Sequence, residues 1–323
     1  MRLIKKLLRV GVTLFLLVLL AVILILRWPM EDPSLSPAAF APRPAFDKLP
    51  KLRLQVFETG YSEAPEAYAV RGGSFFAKRR MTHGAVLIEH PRGRAVLDSG
   101  LGTGFAEENA RAPWIQGRFA QWFFTPTLPL AKNPEFPPLD PNRDFFLLSH
   151  LHWDHVGGTL DFPDIPVKVL EAERAFALDA ARSEAHGVYP HHISALGERL
   201  QGLSLQDKPY ENFPQSLDLF GDQSIVLVSL DGHTPGSLGV FVNLRGGNRF
   251  LLVGDALWSV DAEGRPEARS RLAEWTSDLD KARARLVRQR LAELIAHSNE
   301  VTLVPIHDSK ALEKVRKAME KSL

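Results

Sequence analysis

A layered α/β domain behind one N-terminal transmembrane helix is the fold class the sequence predicts, and three observations predict it. Short apolar runs of strand length recur between residues 52 and 304. Helical stretches separate them, and strands mixed with helices throughout imply packed layers of both. Ahead of all this, residues 10–26 form a run of seventeen without a charge.

That first run is long enough to matter. A helix needs ~20 apolar residues to cross a bilayer, with a lower limit near ~17, and Leu7 and Leu8 extend this one if Arg9 snorkels. Arg2, Lys5, Lys6 and Arg9 precede the run, which predicts a cytoplasmic N-terminus and the rest of the chain on the periplasmic side of the cytoplasmic membrane. A cleaved signal peptide is the alternative. Its apolar region spans ~7–15 residues and is followed closely by a small-x-small site. Here Ala39-Phe40-Ala41 lies far downstream and precedes Pro42, so residues 1–30 are expected to stay as an anchor. Prolines 33, 37, 42, 44 and 50 then make 31–50 a semi-rigid spacer, and 51–323 reads as the globular domain.

Strands are expected at 52–59, then at 85–89 and 94–98 across the Pro91-Arg92-Gly93 turn. Residues 101–143 are an aromatic, proline-rich insertion carrying Trp114, Phe119, Trp122, Phe123 and Phe124. Apolar runs at 144–149, 167–170, 225–230, 238–244, 250–253 and 301–304 suit buried strands. Helices are expected over 171–184, 278–297 and 309–321, and the Arg283, Arg285, Arg288, Arg290 set reads as a solvated side of the second.

The composition narrows the function. A formal net charge of +1 gives no general pull toward nucleic acid. Cysteine is absent, so thiolate chemistry is excluded and any metal must be held by His, Asp or Glu. Four fragments rich in those residues each begin where an expected strand ends: 149–158 (SHLHWDHVGG), 231–236 (DGHTPG), 254–256 (GDA) and 305–308 (PIHD). Ligands bind beyond strand ends in α/β sheets, so the four are placed to converge. Zinc accepts imidazole nitrogen and carboxylate oxygen, and a catalytic site keeps one position for water. Three histidines and an aspartate within six residues do not all reach one ion, whereas two neighbouring ions ~3.5–4 Å apart share them readily. A lone His or Asp at a strand end is usually a cap or a solvent-facing residue; order and spacing together carry the argument.

These fragments resemble the metallo-beta-lactamase superfamily over most of residues 80–310, through H-x-H-x-D-H followed by Gly-Gly and three further fragments in family order. The resemblance implies an αββα sandwich with two zinc ions at one edge, iron or manganese being alternatives. It assigns His150, His152 and His233 to one ion, Asp154, His155 and His307 to the other, and Asp255 as the bridge. Asp98 matches a supporting aspartate. The implied reaction is hydrolysis by water activated between the ions, with Asp154 or Asp255 moving the proton.

The scissile bond is less defined. Asp255 argues against antibiotic cleavage, since zinc β-lactamases lack an aspartate there, and favours lactonase-like or phosphoesterase branches. Lactonases typically carry Asp-x-x-Tyr, but this chain has Trp258 in place of the tyrosine, an N–H donor without a hydroxyl. An ester or lactone of a small molecule is the leading expectation. A phosphodiesterase, an iron-loaded redox enzyme and a silent membrane-tethered scaffold are the alternatives; His152, where diiron members usually place Glu, speaks against the redox version. Trp114, Trp122, Phe123 and Phe124 of the insertion are expected to line an apolar approach, with Trp258 and His192 as further substrate contacts. His83, His90, His186, His191 and His297 lack motif support.

Overall fold

Helix α1 (Arg2–Arg27) comes first in a computed structural model that describes residues 2–27, 40–41 and 45–321. Its segment Lys5–Ile25 is apolar and long enough to cross a membrane, and none of that segment is buried, a property an anchor shares with a signal sequence. Most of the expected 31–50 spacer lies outside the described residues.

The chain then enters β1 (Arg53–Pro65), α2 (Glu66–Ala69), β2 (Lys78–His90) and β3 (Gly93–Leu97). The expected insertion supplies α3 (Phe105–Arg111), α4 (Trp114–Phe123) and β4 (Phe124–Pro126). Next come β5 (Phe145–Leu147), α5 (Trp153–Val156), β6 (Val167–Leu170), α6 (Glu171–Leu178), α7 (Ala180–Ser183), α8 (Pro190–Leu196) and β7 (Leu200–Leu203). The second half holds β8 (Leu217–Asp218), β9 (Ile225–Ser229), β10 (Leu238–Asn243), β11 (Arg249–Leu252), α9 (Arg271–Ser277), α10 (Lys281–His297), β12 (Val301–Val304) and α11 (Ser309–Glu320). The single helix expected over 171–184 is two, broken at Asp179, whose carbonyl accepts from the N–H groups of Arg182 and Ser183.

Among the described residues the strands form two sheets, ordered β4-β1-β2-β3-β5-β6-β7 and β12-β11-β10-β9-β8. Alternation along each strand explains why they stack. Val86, Ile88 and Leu97 of the first sheet meet Leu227, Val240 and Leu252 of the second in one core between the sheets. The intervening Ala85, Leu87 and Val96 face outward onto Phe176 of α6 and Ile193 of α8. In the second sheet Val228, Phe241 and Leu251 face Leu291 and Leu294 of α10. Strands buried on both faces need continuous apolar sequence, which is what these runs supply. Full burial of each such side chain contributes roughly 1.5–3 kcal/mol. The result is an αββα sandwich.

Strand direction decides where polar residues can collect. β3, β5, β6 and β7 run parallel, as do β11 and β12, so the loops after β3, β5, β11 and β12 leave from C-terminal strand ends. The antiparallel β1–β2 ladder slips register between Glu58 and Gly60, and such a bulge re-aims side chains. The residues opposite that irregular stretch are Thr82 and His83, both of which contact the polar cluster described next.

Candidate metal centre

Three overlapping clusters of ligand-type atoms lie together at the strand ends: His150, His152 and His233; His150, His155 and Asp255; and His83, Asp154 and His307. Within each, the donor atoms are all within 4.8 Å of one another. His150 and His152 leave the end of β5, with Asp154 and His155 on α5, while His233 follows β9, Asp255 follows β11 and His307 follows β12. His233 Nε2 stands 3.2 Å from His150 Nε2 and 3.1 Å from His152 Nδ1. Asp255 connects the groups. Its Oδ2 is 3.4 Å from His233 Nε2, and its Oδ1 is 3.3 Å from His155 Nε2 and 2.8 Å from His307 Nε2.

A second layer fixes the ring orientations. Asp98 Oδ2 lies 3.0 Å from His155 Nδ1, Asp278 Oδ1 lies 3.1 Å from His233 Nδ1, and the Thr82 carbonyl lies 2.6 Å from His307 Nδ1. Ser149 Oγ stands 3.0 Å from His150 Nδ1. With Nδ1–H donated outward, the Nε2 lone pairs of His155, His233 and His307 point at the cluster, the arrangement metal-binding histidines use. Asp98 holds this role in a left-handed backbone conformation, φ 56°, which an L-residue adopts only when its surroundings compensate. Compensation comes from Ser149, whose N–H and Oγ–H both donate to the same carboxylate, at 2.7 and 2.9 Å.

The donor set fits metal ions on its own evidence. His152 Nε2, His155 Nε2 and Asp255 Oδ1 are buried without a hydrogen-bond partner, a costly state for polar atoms unless something else satisfies them. Burial holds His150 well below the ordinary imidazole value and His152 down at about 3, so both rings stay neutral and able to donate a lone pair. Burial pushes His155 and His307 the same way, but the adjacent carboxylates, Asp98 for His155 and Asp255 for His307, win and raise both. Asp154 and Asp255 are held below the usual carboxylate range by neighbouring imidazoles, against their burial. The cluster thus offers ionised carboxylates and imidazoles in want of positive charge.

The sequence profile of the metallo-beta-lactamase superfamily matches residues 82–288. The chain belongs to this superfamily. Relatives include the N-acyl homoserine lactonase AttM of Rhizobium radiobacter, 28% identical over 242 residues that cover 72% of this chain and 84% of that protein. A probable metallo-hydrolase of Mycobacterium tuberculosis, Rv2300c, is 30% identical over 169 residues, 50% of this chain and 54% of its own length. The match therefore spans about half the length of that mycobacterial protein. Among solved structures, a Bacillus thuringiensis AiiA variant with N-decanoyl-L-homoserine bound superposes with TM-score 0.56 at 18% identity, covering 82% of this chain and 96% of that one. The two-sheet sandwich and the strand-end cluster are those of the metallo-beta-lactamase fold.

Within this metallo-beta-lactamase centre, several expected residues sit differently. His83, which had no motif support, has Nδ1 3.2 Å from Asp154 Oδ2 and Nε2 2.9 Å from Ser62 Oγ. Trp122 is 72% exposed, and Phe123, 43% exposed, packs on Phe119. Neither forms the wall beside the histidines, because α4 turns its large side chains outward. The next residue, Phe124, does form it, 4.6 Å from both the His83 and Trp153 rings. His192 is buried with Nε2 3.0 Å from Glu108 Oε2, so its ring faces a protein carboxylate rather than an open site. Trp258 donates its indole N–H to Asp255 Oδ2 at 3.0 Å, which directs that ring to a candidate ligand instead of to substrate.

Two further supports were hidden in the sequence. Asp278, expected as the start of a helix, precedes α10, whose cap is Asp280; freed from capping, its carboxylate serves His233. Arg269 donates to Asp278 Oδ1 at 2.6 Å and to the Asp255 carbonyl, and lies over the Trp258 ring at 4.3 Å. The arginine side of α10 is not a plain solvated face. Arg288 is buried against Asp278 and Glu274, Arg285 pairs with Glu274, and Arg283 with Asp231. Burying such groups requires paired charges, and Glu274 and Asp278 provide them.

Proposed function

We propose that this hydrolase is a dinuclear zinc esterase or lactonase, with Lys5–Ile25 retained as a membrane anchor, 31–50 as spacer and the catalytic domain on the periplasmic side. The observation that carries the dinuclear reading is Asp255, whose two oxygens face different imidazole sets. His150, His152 and His233 are assigned to one ion, Asp154, His155 and His307 to the other, and Asp255 to both. Bound there, two zinc ions would supply a water with pKa ~7 and Lewis acidity toward a carbonyl oxygen.

The chain's own residues supply the rest. Trp258 and Arg269 hold Asp255 in place through its Oδ2 and its carbonyl, so the bridging carboxylate cannot swing between the two groups. Asp154 faces His83 Nδ1 at 3.2 Å and the His155 and His307 rings with its side chain 13% exposed, and to it we assign proton transfer between water and a leaving alkoxide. Phe124, Trp153 and Phe105 form a contiguous aromatic wall suited to an acyl chain. Support for the lactone reading comes from the relatives named as lactonases.

The test is a substrate panel on the zinc-loaded protein, with lactones of increasing acyl length, aryl esters and phosphodiesters, alongside elemental analysis. Two transition-metal ions per chain and rising kcat/KM with the first added carbons are expected, since each buried methylene contributes ~0.8 kcal/mol, or roughly fourfold. One ion or none sinks the dinuclear reading. A preference for phosphodiesters replaces the ester with the runner-up.

A further inference from the structure

The helix beside the centre is amphipathic the wrong way round for a water-facing element. Trp114, Ile115 and Trp122 are 73%, 74% and 72% exposed, and Phe119 and Phe123 are 46% and 43% exposed. The buried residues of α4 are Gly117 and Ala120. This is held in place by close packing: a Cβ on Gly117 would sit 2.2 Å from the Asn109 carbonyl oxygen of α3, so only glycine lets the small side of α4 settle there. A globular helix buries its large apolar face, and an exposed one marks an interaction site.

The occupant is indicated by the rest of the chain. α1 provides a membrane-length apolar segment, and α1 lies beside α9, whose Trp275 is 70% exposed. α9 also approaches the centre from the other side, through the Thr276 hydroxyl that meets Tyr68, a neighbour of Trp258. The exposed face of α4 carries two tryptophans, the residue type that settles at the headgroup level, and Arg118, with no acidic residue in the helix. We infer that α4 lies in the headgroup region of the bilayer that α1 spans, so that the metal centre opens toward the membrane surface and takes amphiphilic acyl substrates from it. This rests on the tethered-hydrolase reading above. The path inward is continuous: Phe119 is 6.1 Å from Phe124, which touches both Trp153 and His83.

The absence of native cysteine makes a direct test available. Ile115→Cys, Trp122→Cys, Leu16→Cys and Asn248→Cys would each be labelled with an environment-sensitive fluorophore in the full chain, reconstituted in vesicles of phosphatidylglycerol and phosphatidylethanolamine. Leu16 reports the span; Asn248, on the β10–β11 turn at the sheet end away from the metals, reports water. Labels at 115 and 122 should be quenched at least about twofold by lipids brominated in the upper acyl chain, because an interfacial helix sits roughly 5–10 Å into that layer. Quenching at 16 with 115 and 122 matching 248 overturns the docking and leaves the anchor standing. Labels at 115 and 122 that leave water but escape lipid quenching mean a protein cover, a second copy or residues 28–39, and also overturn it. No quenching at any of these positions overturns anchor and docking together. Hydrolysis of a short, water-soluble lactone, measured on the same vesicles, reports the esterase reading independently of all three outcomes.

Discussion

Residues 149–158 keep their polar, chemically useful side chains inside, whereas α4, a few ångströms of aromatic wall away, keeps its large apolar side chains outside. Around the first region His150, His155, His233 and His307 each have a placed outer neighbour: Ser149, Asp98, Asp278 and the Thr82 carbonyl. In the second, Gly117 fits tightly against the Asn109 carbonyl. The difference teaches how the labour is divided. The floor of the site is over-determined; on the proposed reading it sets which bond is attacked, and the flank sets what arrives.

If that division is right, damage to the floor should be severe and chemical. Asp255→Ala is expected to lower kcat/KM by at least ~10³-fold, or ~4 kcal/mol of transition-state stabilisation. Metal content should fall with it, while far-UV circular dichroism stays unchanged. Wild-type turnover in that variant would remove Asp255 from the centre altogether.

One layer out, Asp278→Asn should be milder. Loss of the charged partner of His233 is expected to weaken metal binding by ~10–100-fold, read by competition with a chelator, with the fold retained. An affinity equal to wild type would make the His233–Asp278 contact merely structural.

These two layers differed sharply in how far the sequence exposed them. The ligand residues could be read because 150–155 is a local motif and the other fragments sit at strand ends, where the period of the apolar runs stops. Asp98 was readable for the same reason. His83 was not, because it lies within a long strand, opposite the β1–β2 register shift, and meets Asp154 across the fold, which no local pattern encodes. Asp278 and Arg269 meet across folded loops, and Asp278 looked like the start of a helix that in fact begins after Asp280. Most strands followed from the apolar runs and their stacking in two sheets from the family resemblance, but the outward face of α4 followed from neither. WIQGRFAQWF is apolar on more than one side, and the packing of Gly117 decides which side is buried.

The flank offers the converse experiment. Gly117→Ala should lift α4 from α3, at an overpacking cost of ~1–3 kcal/mol, without changing metal affinity. Faster amide exchange confined to α3 and α4, with unaltered turnover of a small soluble substrate, would sharpen the contrast; metal loss would blur it.

The smallest effect lies away from both regions. Burial pushes the Asp222 carboxyl up, but Ser224, His90 and Arg92 hold it lower, at about 2. A carboxylate depressed in the folded state stabilises above its unfolded pKa of ~3.9, and that contribution disappears as pH falls toward 2. Asp222→Asn should therefore flatten the melting temperature between pH 4 and 2, by less than ~1 kcal/mol because the pair is part exposed. An unchanged acid limb would show that other carboxylates govern it.

Glu173 gives the metal centre a mechanical meaning. This fully buried carboxylate, raised by its burial, accepts the Leu151 N–H at 2.9 Å and the Gly236 N–H at 3.0 Å. Leu151 lies between two histidines on the loop after β5, and Gly236 follows His233 in the second sheet's loop. One side chain thus acts as a latch between the halves of the sandwich, on the two loops that carry His150, His152 and His233. A seam fastened at that point cannot gape on one side while the ligands stay gathered on the other. Metal escape and sheet separation then become one opening event, and a chelator acts by waiting for the sandwich to breathe.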